Sequence, residues 1–336
     1  MSRLAAIFGC AGPSLTADEA AFFRAVQPWG FILFRRNVET PDQVRALAAA
    51  LCGTVDDPAA PVLVDQEGGR VQRLGPPHWR RYPAARAYSA LPSPLGCEMA
   101  RIGGRLIALD LAAAGISVNC APILDTPEAG AHEVIGDRAF GETPERVADL
   151  GLAFAEGLMA GGVLPVVKHI PGHGRAQADS HAELPVVTAA HADLVRDFEP
   201  FRACAELPIA MTAHVVYAAI DPDAPATASP KVIRGTIRGD IGFDGLLLTD
   251  DLSMKALGGG FAGRASRALD AGCDVVLHCN GDIGEMREVA AGARTLVGDA
   301  ARRADAALAR RRAPEPVDAL QARARFDAAF AGRWSS

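Results

Sequence analysis

Short, continuous apolar runs recur along the chain with longer amphipathic stretches between them, the pattern of strands buried on both faces by helices. Eight stand out: Leu4 to Gly9, Gly30 to Phe34, Val62 to Asp65, Ile116 to Asn119, Val163 to His169, Ile209 to His214, Leu246 to Asp250 and Cys273 to His278. Helix starts fall between them. Thr16-Ala17-Asp18-Glu19 reads as a capping box, while Thr40-Pro41 and Thr143-Pro144 put a threonine cap before a proline at the first helical position. Gly161-Gly162 closes a helix ahead of the fifth run. Eight alternating units predict an α/β fold of the (β/α)8 TIM-barrel type rather than a doubly wound sheet. Six runs end in a polar or ionisable group: Asp65, Asn119, Lys168-His169, His214, Asp250 and His278. The C-terminal strand ends of such a barrel surround its active site, so this placement fits a catalytic mouth, although strands also end in polar residues because loops begin there.

The tail from Gly281 to Ser336 is Ala/Arg-rich and helical in pattern, interrupted by Pro314 and Pro316, and is too short for a second domain. One domain over residues 1–336 is expected. Of the 336 residues 49% are hydrophobic and 22% charged, enough to bury a full core and unlike a disordered chain. The net charge of −6, without a basic stripe interleaved with aromatics, argues against nucleic-acid partners. Seven scattered cysteines contain no CxxC pair, which reads as small buried hydrophobes in a reducing compartment. The apolar run near the N-terminus is shorter than a secretory core, and no segment reaches the ~18 apolar residues of a membrane span. A cytoplasmic protein with no membrane partner is expected.

Three segments carry candidate chemistry. The richest, Lys168-His169-Ile170-Pro171-Gly172-His173-Gly174 with Asp179-Ser180-His181 beyond it, leaves the fifth run as a loop longer than usual. Asp179 and His181 stand two apart, so in extended chain they face the same side, and a carboxylate beside an imidazole raises its pKa and fixes its tautomer. That pattern suits a proton shuttle. Asp179 and His181, with His169 and His173, also resemble a metal-ligand cluster, although no HxH or HExxH spacing is present. Small residues between Pro171 and Glu183 suggest a loosely anchored loop able to close over a ligand. The second segment, Asp65 to Arg73, sets a strand-end carboxylate beside Arg70 and Arg73, as sugar pockets do. The third, Thr249-Asp250-Asp251-Leu252-Ser253-Met254, places one carboxylate into the barrel and the other away if strand alternation holds. Asp250, rigidly held at the mouth, suits a nucleophile.

These segments, with Gly136-Asp137-Arg138-Ala139-Phe140-Gly141, Gly30 to Phe34, Asn119 to Asp125 and Thr212-Ala213-His214, together resemble bacterial β-N-acetylhexosaminidases of glycoside hydrolase family 3. The resemblance is to the short single-domain type used in peptidoglycan recycling and spans nearly the whole chain. It implies retaining hydrolysis of terminal N-acetylglucosamine from muropeptides, with Asp250 as nucleophile and His181, paired with Asp179, as acid/base. It also implies that Asp65, Arg73, Arg138, Lys168 and His169 hold the sugar hydroxyls, that His173 shapes the loop, and that a monomer works without metal or other cofactor. Ile170 departs from the family's usual phenylalanine. Phosphorolysis or broader β-glycosidase activity on the same scaffold, a metal-dependent hydrolase and a non-catalytic sugar-binding protein are the competing expectations.

Overall fold

The computed structural model describes residues 3–128, 130, 133–176 and 183–331. Each of the eight apolar runs forms a strand: β1 (Leu4–Phe8), β2 (Pro28–Leu33), β3 (Val62–Val64), β4 (Val118–Asn119), β5 (Leu164–Ile170), β6 (Ile209–Thr212), β7 (Leu246–Asp251) and β8 (Val275–His278). They pair in parallel and in chain order, and β8 closes the barrel onto β1 through Ala6↔Val276, Ile7↔Leu277 and Phe8↔His278. Side chains alternate as a closed barrel requires. Ile7, Ile32, Leu63, Val118, Val166, Met211, Leu248 and Leu277 share one buried cluster, while Phe8, Leu33, Val64, Val167, Leu247 and Val276 join another with the helices.

The helix-start signals hold. Thr16 caps α1 (Ala17–Val26) with both halves of its box formed, Thr40 caps α2 (Pro41–Thr54), and Thr143 caps α4 (Pro144–Ala160), which Gly161 ends. The long helix α3 (Ser93–Ala113) lies between them in sequence and packs on α4. α5 (His191–Ala203), a π-helical segment at Val232–Asp240, α6 (Phe261–Ala271) and α7 (Ile283–Gly292) complete the ring. The tail supplies α8 (Gly298–Ala309) and α9 (Ala319–Phe330), whose Phe326 and Phe330 pack against Tyr88 at 6.2 and 5.3 Å. All seven cysteines are free, and all but Cys97 are buried. Among the described residues no helix is long and apolar enough to cross a membrane.

Two interruptions of the ladder bear on the site. The register shifts between Lys168 and Ile170 where β5 meets β6, and between Leu248 and Asp251 where β7 meets β8. Such irregularities re-aim side chains that strict alternation would send to opposite faces. Just beyond β3 the chain doubles back as a short antiparallel hairpin, Gln66–Gly68 with Val71–Gln72, which reaches over the mouth.

Candidate active site

A cavity of about 270 Å³ opens at the C-terminal strand ends. Asp65, Arg73, Arg138, Lys168, His169 and Asp250 all line it, together with Arg70, His173 and Asp251. Ile32, Met211 and Leu277 give it apolar wall, and Phe34, Val134, Ile135 and Met254 add more. Asp179 and His181 lie outside the described residues. Of the other polar strand ends, three serve the scaffold. Asn119 exchanges hydrogen bonds with the Gln66 backbone at 3.0 and 2.9 Å, His214 binds the Asp251 carbonyl of β7 at 3.0 Å, and His278 pairs with Glu285 at 2.9 Å.

One wall is a chain of alternating charges. The Lys168 ammonium, 3% exposed, lies 2.8 Å from Asp65 Oδ1 and 2.9 Å from Glu67 Oε1. Arg73 reaches the other oxygen of Asp65 at 2.9 Å, and Arg138 holds Glu67 through two bonds of 2.9 Å. Burial alone would raise both carboxylates, but Lys168 with Arg73 outweighs it at Asp65 and Lys168 with Arg138 outweighs it at Glu67, so both lie below the ordinary range. For Lys168 burial is likewise outweighed, and its pKa rises. Glu67 was not singled out from the sequence. Its signal was there, since the i, i+2 spacing from Asp65 puts two carboxylates on one side of extended chain.

Lys168→Met should destabilise the fold by about 3 kcal/mol, the lower end for a broken buried pair because Arg73 and Arg138 remain. Asp65 and Glu67 bind fewer protons folded than unfolded, where their values are 3.8 and 4.5. Their contribution is therefore complete above about pH 5 and is lost as pH falls through the lower folded values. Urea unfolding of both proteins at pH 7 and pH 4 checks this: the gap between them should narrow at the lower pH.

A second part of the site is built on Asp125, fully buried just past β4. Its carboxylate accepts the His169 and His173 backbone N–H groups, the latter at 2.6 Å, and meets His169 Nδ1 at 2.7 Å. Those neighbours overcome burial and depress its pKa. The bond at Nδ1 leaves His169 Nε2 facing Asp250 Oδ2 at 4.0 Å. At Asp250, too, burial is outweighed, here chiefly by the imidazoles of His169 and His214 and by the Asp251 N–H donated to Oδ1 at 2.8 Å, so the group is held ionised. The expectation of one aspartate inward and one away needs correction. Both line the cavity because the register breaks beside them, as Lys168 and His169 do for the same reason on β5. What separates them is bonding. Asp251 is taken up by Ser253 N–H and Oγ at 2.9 and 2.5 Å and by Cys279 N–H at 3.1 Å.

The start of the long loop is also firmer than its small residues suggested. Tyr217 donates to the Gly172 carbonyl at 2.7 Å, a Cβ on Gly174 would lie 1.8 Å from the Thr126 carbonyl, and Arg175 binds Asp197 and Glu128. The His173 ring, 3% exposed, stands 5.7 Å from the His169 ring, and burial with help from His169 lowers its pKa from 6.5 to about 4. It is a neutral wall as well as a loop-shaping residue.

Residues 15–310 match the model of the glycosyl hydrolase family 3 N-terminal domain. The chain belongs to glycosyl hydrolase family 3. It is 41% identical over 279 residues to the β-hexosaminidase of Methylococcus capsulatus, covering 82% of each chain. Over 273 residues it is 41% identical to that of Pseudomonas aeruginosa, covering 80% of each. The structure is similar to that of NagZ from Neisseria gonorrhoeae in complex with N-trifluoroacetyl-D-glucosamine, with a TM-score of 0.84, 33% identity, and 98% and 97% of the two chains covered. It also matches the β-N-acetylhexosaminidase of Beutenbergia cavernae, with a TM-score of 0.78, 30% identity, and 91% and 96% covered. The chain is thus a glycoside hydrolase of the β-hexosaminidase kind. Ile170 is fully buried in the cluster shared with the helices and is not among the residues that line the cavity.

Proposed function

We propose that this family 3 enzyme is a retaining β-N-acetylglucosaminidase that removes terminal N-acetylglucosamine from peptidoglycan-derived muropeptides. Asp250 attacks the anomeric carbon while the glycosidic oxygen takes a proton from His181, whose imidazole Asp179 orients. The departing alcohol leaves a glycosyl ester on Asp250. Water then attacks the same carbon, giving its proton to His181, and the aspartate leaves. The observation that carries this reading is the state of Asp250: ionised at the cavity wall, one oxygen bound by its neighbour's N–H and the other facing His169. Asp65, Arg73, Arg138, Lys168 and His169 offer donors and acceptors side by side, which vicinal sugar hydroxyls require. The chain acts as one domain, a monomer in the cytoplasm, without a metal. Exposed to water, the Asp250 carboxylate would be a weak nucleophile; the cavity supplies orientation and partial desolvation.

Two inversions return the starting configuration, so the first sugar released should be the β-anomer. Proton NMR during hydrolysis of an aryl N-acetyl-β-glucosaminide reads this directly; α-anomer appearing first would rule out the covalent route. Turnover of the matching glucoside beside it tests the substrate class, and a preference for the acetamido sugar is expected. Added phosphate should alter neither rate nor product.

A further inference from the structure

Arg70 lines the cavity but belongs to neither charged wall, and its guanidinium is turned toward a different loop. Nη2 donates to the carbonyls of Glu133, Val134 and Ile135 at 2.8, 2.9 and 3.3 Å, and Nε to Asp137 at 2.9 Å. The next residue along that loop is Arg138. Its Nη1 donates to the same Val134 carbonyl at 3.0 Å, while its other nitrogens hold Glu67. One carbonyl thus joins the two guanidiniums.

We propose that Arg70 is a positioning residue that sets the Arg138 guanidinium for sugar binding by gathering the carbonyls of residues 133–135 around one planar donor. The proposal rests on the sugar-binding role given to Arg138 above. Its base is rigid. Arg70 follows the turn Gly68-Gly69, both at positive φ (104° and 57°), and that turn is pressed flat on the neighbouring chain. A Cβ at Gly68 would lie 2.3 Å from the Pro83 carbonyl, and one at Gly69 2.7 Å from the Ala84 Cβ. The Arg70–Asp137 ion pair by itself is half-exposed and contributes little. The carbonyls are the greater matter. Among the described residues of the segment, backbone bonds also run from Arg138 N–H to Ile135 at 2.9 Å and, at a long 3.4 Å, from Ala139 N–H to Gly136. A planar guanidinium can hold the carbonyls with Nη2 and Asp137 with Nε at once, where an ammonium acts as a single point donor.

If Arg70 acts through Arg138, its effect must vanish once Arg138 is gone. A double-mutant cycle on Arg70→Ala and Arg138→Ala tests this, with the inhibition constant of N-acetylglucosamine and the KM and kcat of an aryl N-acetyl-β-glucosaminide as readouts. Arg70→Ala should weaken sugar binding about tenfold with kcat changed less than about threefold, and Arg70→Lys should recover only part of the loss. The double variant should bind no worse than Arg138→Ala alone. Additive losses would mean that Arg70 acts on the sugar directly, and unchanged affinity in Arg70→Ala would mean that it does not act at all; either overturns the proposal. If Arg138→Ala itself leaves affinity unchanged, the role assigned to Arg138 falls, and this proposal with it. Thermal unfolding of each variant separates loss of fold, and Arg70→Lys carries the cycle should Arg70→Ala not fold.

Discussion

Asp250→Ala should lose kcat by at least ~10⁴-fold while still binding N-acetylglucosamine within a few-fold of the parent enzyme. In the proposed mechanism the carboxylate enters bonding only as the anomeric carbon loses its leaving group, so its removal should fall on the transition state. On the proposed reading ground-state affinity comes from Asp65, Arg73, Arg138, Lys168 and His169, and Lys168, Arg73 and Arg138 hold Asp65 and Glu67 in place. None of these bonds involves Asp250. Removing the carboxylate takes away the oxygen 4.0 Å from His169 Nε2, while the bond from His169 Nδ1 to Asp125 at 2.7 Å keeps the ring in position. Isothermal titration with N-acetylglucosamine and steady-state rates on an aryl N-acetyl-β-glucosaminide separate the two effects. Loss of binding in parallel with loss of rate would make Asp250 a sugar ligand rather than the nucleophile.

His181→Ala should cost about 10²–10⁴-fold in kcat/KM for substrates with poor leaving groups and little for good ones. An alkoxide of high pKa cannot depart without a proton, whereas a nitrophenolate can. The quantity to compare is kcat/KM, because it reports only the steps through departure of the aglycone and is blind to slow hydrolysis of the ester that follows. Asp179→Ala should show the same slope against leaving-group pKa in weaker form, since a carboxylate that orients an imidazole never meets the substrate. Aryl glycosides of graded leaving-group pKa provide the series. Equal losses across it for His181→Ala would remove that residue from proton transfer.

Much of this architecture was legible because it follows from local chemistry. The eight apolar runs are strands since a sheet covered on both faces has no polar side, and the threonine caps at residues 16, 40 and 143 bind their own helix starts. What escaped the reading was set by contacts distant in sequence. Asp125 reaches His169 because the chain beyond β4 continues alongside β5, with the Leu124 N–H bonded to the Lys168 carbonyl at 2.7 Å, and nothing in residues 120–125 announces that. The pairs Lys168-His169 and Asp250-Asp251 face one cavity only through breaks in register, which a period of two cannot express. His214 has the right composition and place for a catalytic strand end. Its Nδ1 meets Thr227 at 2.7 Å and its Nε2 the Asp251 carbonyl at 3.0 Å, so both ring nitrogens are taken up in holding the end of β7.

The covalent glycosyl ester on Asp250 is the central claim, and it can be weighed directly. A 5-fluoro N-acetyl-β-glucosaminyl fluoride combines a good leaving group with a ring fluorine that disfavours the positively charged transition state, so the ester should form and then hydrolyse slowly. Mass spectrometry of the intact enzyme after brief incubation should show one added sugar, and peptic digestion should place it on the peptide containing Asp250. An enzyme that turns the compound over with no adduct, or that carries the sugar on a peptide lacking Asp250, would contradict the account.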